Sequence, residues 1–368
     1  MNDHDLKTRL IYLDTNTYIA KNFQFGKYEL DKLRSFIDSE NLHLLITDVN
    51  ISEVKSHIKR RAIEAVSAIQ KAAKDAMILR NNETLPAYGI FSKINPDAIY
   101  NEIVESFEEF LKGDKVEIVS VSAANISDVF VDYFSENPPF DSENKKAEFP
   151  DAFVLSAISR VAAERHHKLY VVSSDGDFKR YCARHAHLIS LERVEQLLDI
   201  IVRNSEELAV PAKFADTIYN DMRQDIEDQV RDMLRRGEYS IEHPEFDIEE
   251  VVVESVEFLE RNIVDVSAES AIYEVKLKMS VVVDSSYIDY DNSPYDREDG
   301  RYLYIDNCSV KARYKYKPTI VVYLNFHDGI RDNAELGSID VDEALNLLDD
   351  DCEILSRSSE EIRNGYDD

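Results

Sequence analysis

Short apolar runs that stop at carboxylates constrain this chain more than any other feature of it. Four acids occupy such corners in the first 200 residues: Asp14 in Ile-Tyr-Leu-Asp-Thr-Asn, Glu53 in Ile-Ser-Glu-Val, Asp151 in Phe-Pro-Asp-Ala, and Asp175 in Val-Val-Ser-Ser-Asp-Gly-Asp-Phe. Asp14 and Asp175 end apolar runs of strand length, whereas Glu53 and Asp151 open helical patterns. Between them the pattern predicts strands at 9–13, 43–46, 116–121, 168–172 and 187–191. Helices are expected at 28–39, about 50–80, 96–111, from about 150, and from about 177. Strands alternating with helices at this spacing predict a three-layer α/β domain around a mostly parallel sheet. Such a sheet gathers the ends of its strands into one crevice, where acids distant in sequence can meet.

Each acid also has an ordinary structural explanation. Asp14 sits in turn chemistry. Glu53 lies three residues after Asn50, the spacing of a capping box. Asp151 follows Pro150 in a first helical turn, and Asp177 fits the N-cap of its helix. A carboxylate at every such corner is nevertheless more than capping demands, since Ser or Thr serves as well. Clustered anions repel unless a cation lies among them, and oxygen donors with almost no Cys or His suit Mg²⁺ or Mn²⁺ rather than zinc. Such ions most often serve phosphoryl chemistry.

The pattern changes after residue 204. Residues 205–236 read as charged helix. Strand runs follow at 251–256, 272–283, 302–305, 310–316 and 319–326 without helices between them, which predicts an antiparallel sheet. The segment from Asp340 reads as an amphipathic acidic helix. The chain therefore divides into 1–204 and a smaller α+β domain at 205–368. Charge divides the same way: residues 201–368 carry 18 Lys and Arg against 41 Asp and Glu, a net of −23, leaving −7 of the total −30 to the first 200. That acidity argues against general nucleic-acid binding. No apolar run approaches a membrane span, and the polar N-terminus is not a secretory signal. Three cysteines (Cys182, Cys308, Cys352), odd in number and without a paired spacing, fit a reducing compartment, so a cytoplasmic protein is expected. With nine glycines, the chain has neither a P-loop nor a dinucleotide fingerprint.

At these residues the chain resembles the PIN-domain nucleases. Asp-Thr-Asn at 14–16 is similar to the family's opening motif, Glu53 to its second acid and Asp151 to its third. Ser173-x-Asp175-x-Asp177-Phe178 is similar to its closing motif. The likeness covers about residues 9–200. It is strongest to a bacterial subgroup with extended helices between the second and third acids and Lys-Lys-x-Glu-Phe-Pro-Asp before the third. It implies a five-stranded parallel sheet with helices on both faces, and metal-dependent cleavage of RNA, less often of structured DNA. On that reading Asp14, Asp151 and Asp175 bind one or two Mg²⁺ or Mn²⁺ ions, and Asp177 tunes a second metal position. Glu53 is an outer ligand or the proton acceptor for water, while Asn16 and Ser173 orient the ligating carboxylates.

Lys55, Lys59 and Arg60 on the helix after Glu53, with Lys179 and Arg180 after Asp175, are candidates for guiding phosphates. Lys145 or Lys146 could meet the substrate phosphate. The plainer reading of these cations is solvated surface. The strand Lys311-Ala-Arg-Tyr-Lys-Tyr-Lys317 reads either as a phosphate-tracking face or as a sheet strand with a cationic outer face. The acidic end, including Asp349-Asp350-Asp351, is a solubilising tail, a shield for the groove or a site for a basic protein partner. A homodimer stays open. Two rivals remain. One is a haloacid-dehalogenase-like phosphatase with Asp14 as nucleophile. The other is a non-catalytic module that binds RNA or protein.

Overall fold

The computed structural model describes residues 5–141, 147–242, 245–296, 301–326, 333–341, 345–348 and 352–362. It divides into two compact units, Met1–Asn204 and Ser205–Asp368. Lys145, Lys146 and Asp349 to Asp351 lie outside the described residues.

In the first unit, β1 (Leu10–Leu13) leads into α1 (Thr15–Ala20) and α2 (Tyr28–Asp38). Then come β2 (His43–Thr47), α3 (Asp48–Asp75), α4 (Pro96–Phe110), β3 (Val116–Val119) and α5 (Ile126–Phe134). The unit ends with α6 (Phe149–Glu164), β4 (Leu169–Val172), α7 (Gly176–Ala183), β5 (Leu188–Leu191) and α8 (Val194–Asn204). The five strands pair in parallel in the order β3-β2-β1-β4-β5. Every residue of β1 and β4 is buried, because helices cover both faces of a parallel sheet. The expected five-stranded parallel α/β domain is therefore present.

Helix α3 runs 28 residues because Val54, Ile58, Ala62 and Val66 form a buried stripe at a spacing of four. Thr47 starts it: its hydroxyl accepts from the Asn50 amide at 3.1 Å. The capping box expected between Asn50 and Glu53 is therefore not what begins this helix, and Glu53 is released for other contacts. Against α3 and α4, Tyr18, Phe25, Phe107 and Phe110 interlock with ring centroids 4.9 to 6.1 Å apart. Phe107 and Tyr18 are fully buried there.

The second unit opens with α9 (Ala209–Asp221) and α10 (Arg223–Arg236), in the stretch expected to be helical. Strands β6 (Tyr239–Ile241), β7 (Asp247–Val266), β8 (Ser270–Asp289), β9 (Tyr295–Asp296) and β10 (Arg301–Tyr302) follow. The rest are β11 (Ile305–Tyr316), β12 (Thr319–Phe326), β13 (Ala334–Val341), β14 (Leu345–Leu347) and β15 (Cys352–Ile362). The long β8 pairs antiparallel with β7 along one edge and shares its other edge between β12 and β11. The expected antiparallel sheet is present, with β13 and β15 outside β12 and β11.

One expectation fails here. The segment after Asp340 is strand, not an acidic amphipathic helix: β14 pairs with β6, and β15 runs antiparallel to β11 from Cys352 to Ile362. Its acidity suggested a helix face. The serines at 356, 358 and 359 are weak helix formers, however, and the open edge of β11 offered a full ladder of backbone partners. Two of the cations on the basic face of β11 are paired within the sheet, while Lys315 is exposed. Lys311 pairs with Asp284 at 2.9 Å, and Arg313 pairs with Glu254 at 2.8 Å and with Glu353 at 3.0 Å. Tyr314 on the opposite face is buried.

Candidate active site

The sheet order places the topological switch point between β1 and β4, the crevice where open α/β sheets collect ligands. Asp14 follows β1 and Ser173 follows β4, and the two meet: the Ser173 hydroxyl donates to Asp14 Oδ2 at 2.8 Å. The Asp14 backbone N–H donates to the Val172 carbonyl at 2.9 Å, fixing the corner. Asp14 also caps α1, its Oδ1 accepting from the Thr15 amide at 2.7 Å. Only 4% of Asp14 is exposed.

Glu53 reaches the same corner from α3, its Oε2 accepting from the Thr15 hydroxyl at 2.8 Å. Behind it lies a buried network centred on Asn50. The Asn50 amide donates to Thr15 Oγ1 at 3.0 Å, while its Oδ1 accepts from Tyr12 and Thr47 at 2.9 and 2.6 Å. Thr15 is thus held to donate toward Glu53. Thr15 and Asn50 belong to the site although the pattern of acids alone does not single them out. Their signal was present, because a polar side chain three residues before a candidate acid, on the inner stripe of a helix, must find partners when buried.

Asp175 caps α7, accepting from the Asp177 amide at 2.7 Å, and its own amide donates to Ser173 Oγ at 3.1 Å. The N-cap role considered for Asp177 thus belongs to Asp175, and Asp177 pairs instead with Arg180. Asp151 lies in the first turn of α6 behind Pro150. Asn16 is exposed on α1 and makes no side-chain hydrogen bond to these acids among the described residues, so Thr15 occupies the orienting place foreseen for it.

The acids feel one another. Burial, then Asp14, Glu53, Glu148 and Asp175, push the Asp151 carboxyl up to about 8. Burial, with Glu53 and Asp175 adding, raises Asp14 to about 6 against the hydrogen bonds from Ser173 and Thr15. The Tyr12 phenol is raised by burial and by Asp14. Burial lifts Glu148 and Asp177, with Asp175 adding to each. Asp14, Glu53, Asp151 and Asp175 therefore share one electrostatic environment across the switch point.

The charge and the hard oxygen donors suit a divalent cation. The side chains do not enclose one as they stand: among the described residues no three His, Cys, Asp or Glu groups are arranged to hold a metal ion. Asp14, Glu53 and Asp175 each accept hydrogen bonds from protein donors instead, so an ion would have to draw the carboxylates together.

The predicted cationic rim is only partly available. Lys55 pairs with Glu108 at 2.6 Å, Arg60 packs its guanidinium on His57 Nδ1 at 2.6 Å, and Arg180 forks onto Asp141 at 2.8 and 3.2 Å. Lys59 and Lys179 are exposed and have no ion-pair partner among the described residues. An open recess lined by Asp48, Ser52, Glu53 and Ser56 adjoins the site and contributes no cation.

Compared with known families, residues 11–178 match the family model described as PIN domain. That span begins in β1, ends in α7 and contains all four acids. It gives the phosphatase alternative no support. No curated protein and no solved structure matches the chain at a significant level. Among the described residues no helix is long and apolar enough to cross a membrane.

Proposed function

Starting from a PIN domain at residues 11–178, a family whose members are generally nucleases, we propose that this chain is a divalent-metal-dependent endoribonuclease. What supports the reading most is the corner where Ser173 donates to Asp14 and Thr15 to Glu53, together with the rise that Glu53 and Asp175 add to Asp14 and that Asp14, Glu53 and Asp175 add to Asp151. A protein gains nothing for stability by crowding buried acids, whereas a phosphodiester hydrolase needs such a cluster.

In this proposal Asp14, Asp151 and Asp175 would hold Mg²⁺ or Mn²⁺, with Asp177 beside them. Bound there, the ion would neutralise charge developing on the phosphate and acidify a water. Glu53, oriented by Thr15, would accept the proton from the attacking water. Ser173 would keep one Asp14 oxygen turned inward, leaving the Oδ1 edge and its free lone pair for ligation. Lys59 and Lys179 would steer phosphates toward the edge, at an affinity that falls with salt.

The test is incubation of purified wild type and Asp151→Asn with total RNA and Mn²⁺, followed by sequencing of the new ends. The proposal expects discrete cleavage that chelation and Asp151→Asn both abolish. Cleavage that survives Asp151→Asn refutes the assignment of the site. RNA binding without turnover by the wild type would select the non-catalytic module.

A further inference from the structure

One cation of α3 differs from its neighbours in what holds it. Lys55 is paired with Glu108 and Arg180 with Asp141, so a carboxylate takes up each charge. Arg60 instead donates from Nη2 to His57 Nδ1 at 2.6 Å. Glu64 stays 3.8 Å from Arg60 Nε, beyond hydrogen-bond reach, and an exposed pair at that distance takes up little of the charge. Arg60 is therefore held in place without being neutralised.

The same contact settles the state of the imidazole. A guanidinium can only donate, so Nδ1 accepts and carries no proton. The proton of the neutral ring then sits on Nε2, which has no hydrogen-bond partner among the described residues. Burial, then the charge of Arg60, hold His57 below its ordinary pKa, and Arg61 adds to this against the pull of Glu53. His57 and Arg60 thus present an uncharged N–H and a guanidinium side by side.

Position ties the pair to the acidic site. Glu53, His57 and Arg60 stand at i, i+4 and i+7 of α3, on one stripe of the helix. Helical side chains lean toward the N-terminus, so Arg60 reaches back to His57, and His57 lies over the turn that carries Glu53. The open recess at Glu53 extends to Ser56, the residue before His57, and supplies no cation of its own. Adjacent donors of this kind, one of them cationic, fit the non-bridging oxygens of a phosphodiester. A carboxylate would fit the same donors, but the neighbouring acids have chemistry only for a phosphodiester.

We propose that His57 and Arg60 clamp a non-scissile phosphate of the RNA strand, as positioning residues that hold the backbone while the adjoining linkage is cut. The inference rests on the nuclease reading and adds to it the residues that grip the substrate's backbone.

The test measures binding of a labelled short RNA to the full, metal-free chain by fluorescence anisotropy at several salt concentrations. His57→Ala and Arg60→Ala are each expected to weaken binding about tenfold, or about 1.4 kcal/mol. Arg60→Ala should also reduce the salt slope by about 1, because one phosphate-neutralising charge is gone. His57→Gln, whose amide keeps both an acceptor and a donor, should bind like the wild type. A series of RNAs carrying an uncharged methylphosphonate at one linkage at a time locates the contact. At one linkage the loss should match that of Arg60→Ala, and the two changes together should cost no more than either alone. With Mn²⁺ added, both alanine variants should raise KM and leave kcat in place. Both residues lie off the buried stripe of α3, and a thermal melt checks that the fold is intact. Wild-type affinity in both alanine variants overturns the clamp, as does full additivity at every linkage or failure of the wild type to bind RNA. The two proposals separate cleanly. Cleavage with unaltered kinetics in both variants keeps the nuclease and removes the clamp, whereas clamp-dependent binding without cleavage does the reverse.

Discussion

Replacing Asp14 by Asn should make the metal-free protein more stable at pH 8, by an amount that vanishes toward pH 4. The substitution keeps the local geometry: an Asn oxygen can still accept from the Thr15 amide, and the Asn amide can donate to the Ser173 hydroxyl. What it removes is a charge that is 4% exposed and surrounded by other acids. In the folded protein the Asp14 carboxyl is raised from 3.8 to about 6, chiefly by burial and then by Glu53 and Asp175. The folded state therefore binds this proton more tightly than the unfolded chain does. Below about pH 4 both states are protonated and the group contributes nothing. As pH climbs through 6 the folded state progressively carries the penalty, and above that the penalty is complete. At about 1.36 kcal/mol per pKa unit, the penalty is about 3 kcal/mol. For a domain of this size that corresponds to about 6–12 °C in Tm. Thermal unfolding of chelator-treated wild type and Asp14→Asn, followed from pH 4 to pH 8, measures it. A variant less stable than wild type at pH 8, or a gap that does not change with pH, refutes the electrostatic argument. Adding Mn²⁺ should reverse the order, because only the wild type retains the full ligand set.

Ser173→Ala removes the donor that orients Asp14 and the acceptor of the Asp175 amide; it should lower metal affinity or activity about 10–100-fold, measured by Mn²⁺ titration, and cost about 1–3 kcal/mol of stability. Asn50→Ala leaves the Tyr12 and Thr47 hydroxyls without their buried acceptor. It should cost about 2–3 kcal/mol in urea unfolding, and catalysis should fall further because Thr15 is no longer fixed. Phe107→Ala, fully buried among Tyr18, Phe25 and Phe110, should cost about 3–5 kcal/mol by the same measurement and leave Mn²⁺ affinity of the folded fraction unchanged.

The parallel sheet was legible because its strands are short, wholly apolar and cut off by turn residues, as Leu10–Leu13 before Asp14 and Leu169–Val172 before Ser173 show. Composition described the C-terminal segment well and its conformation badly. Acidic residues at helical spacing around Leu347 and Ile354 suggested a helix face, but strand identity was decided by the unpaired edges of β6 and β11, which no local pattern reveals. In the site, carboxylates announce themselves by type, whereas Thr15 and Asn50 act only through partners brought from 35 residues away. The capping readings of Glu53 and Asp177 failed for a related reason. Thr47 and Asp175 were equally good caps a few residues earlier, and the helices began there.

The proposed nuclease needs these carboxylates to close around one ion. Crystals grown with Mn²⁺, measured at the manganese absorption edge, test that directly. The prediction is an anomalous peak bonded to Asp14, Asp151 and Asp175 at roughly 2.0–2.2 Å, with the three carboxylates drawn together around it. No peak at the switch point, with the four carboxylates still apart, would contradict it.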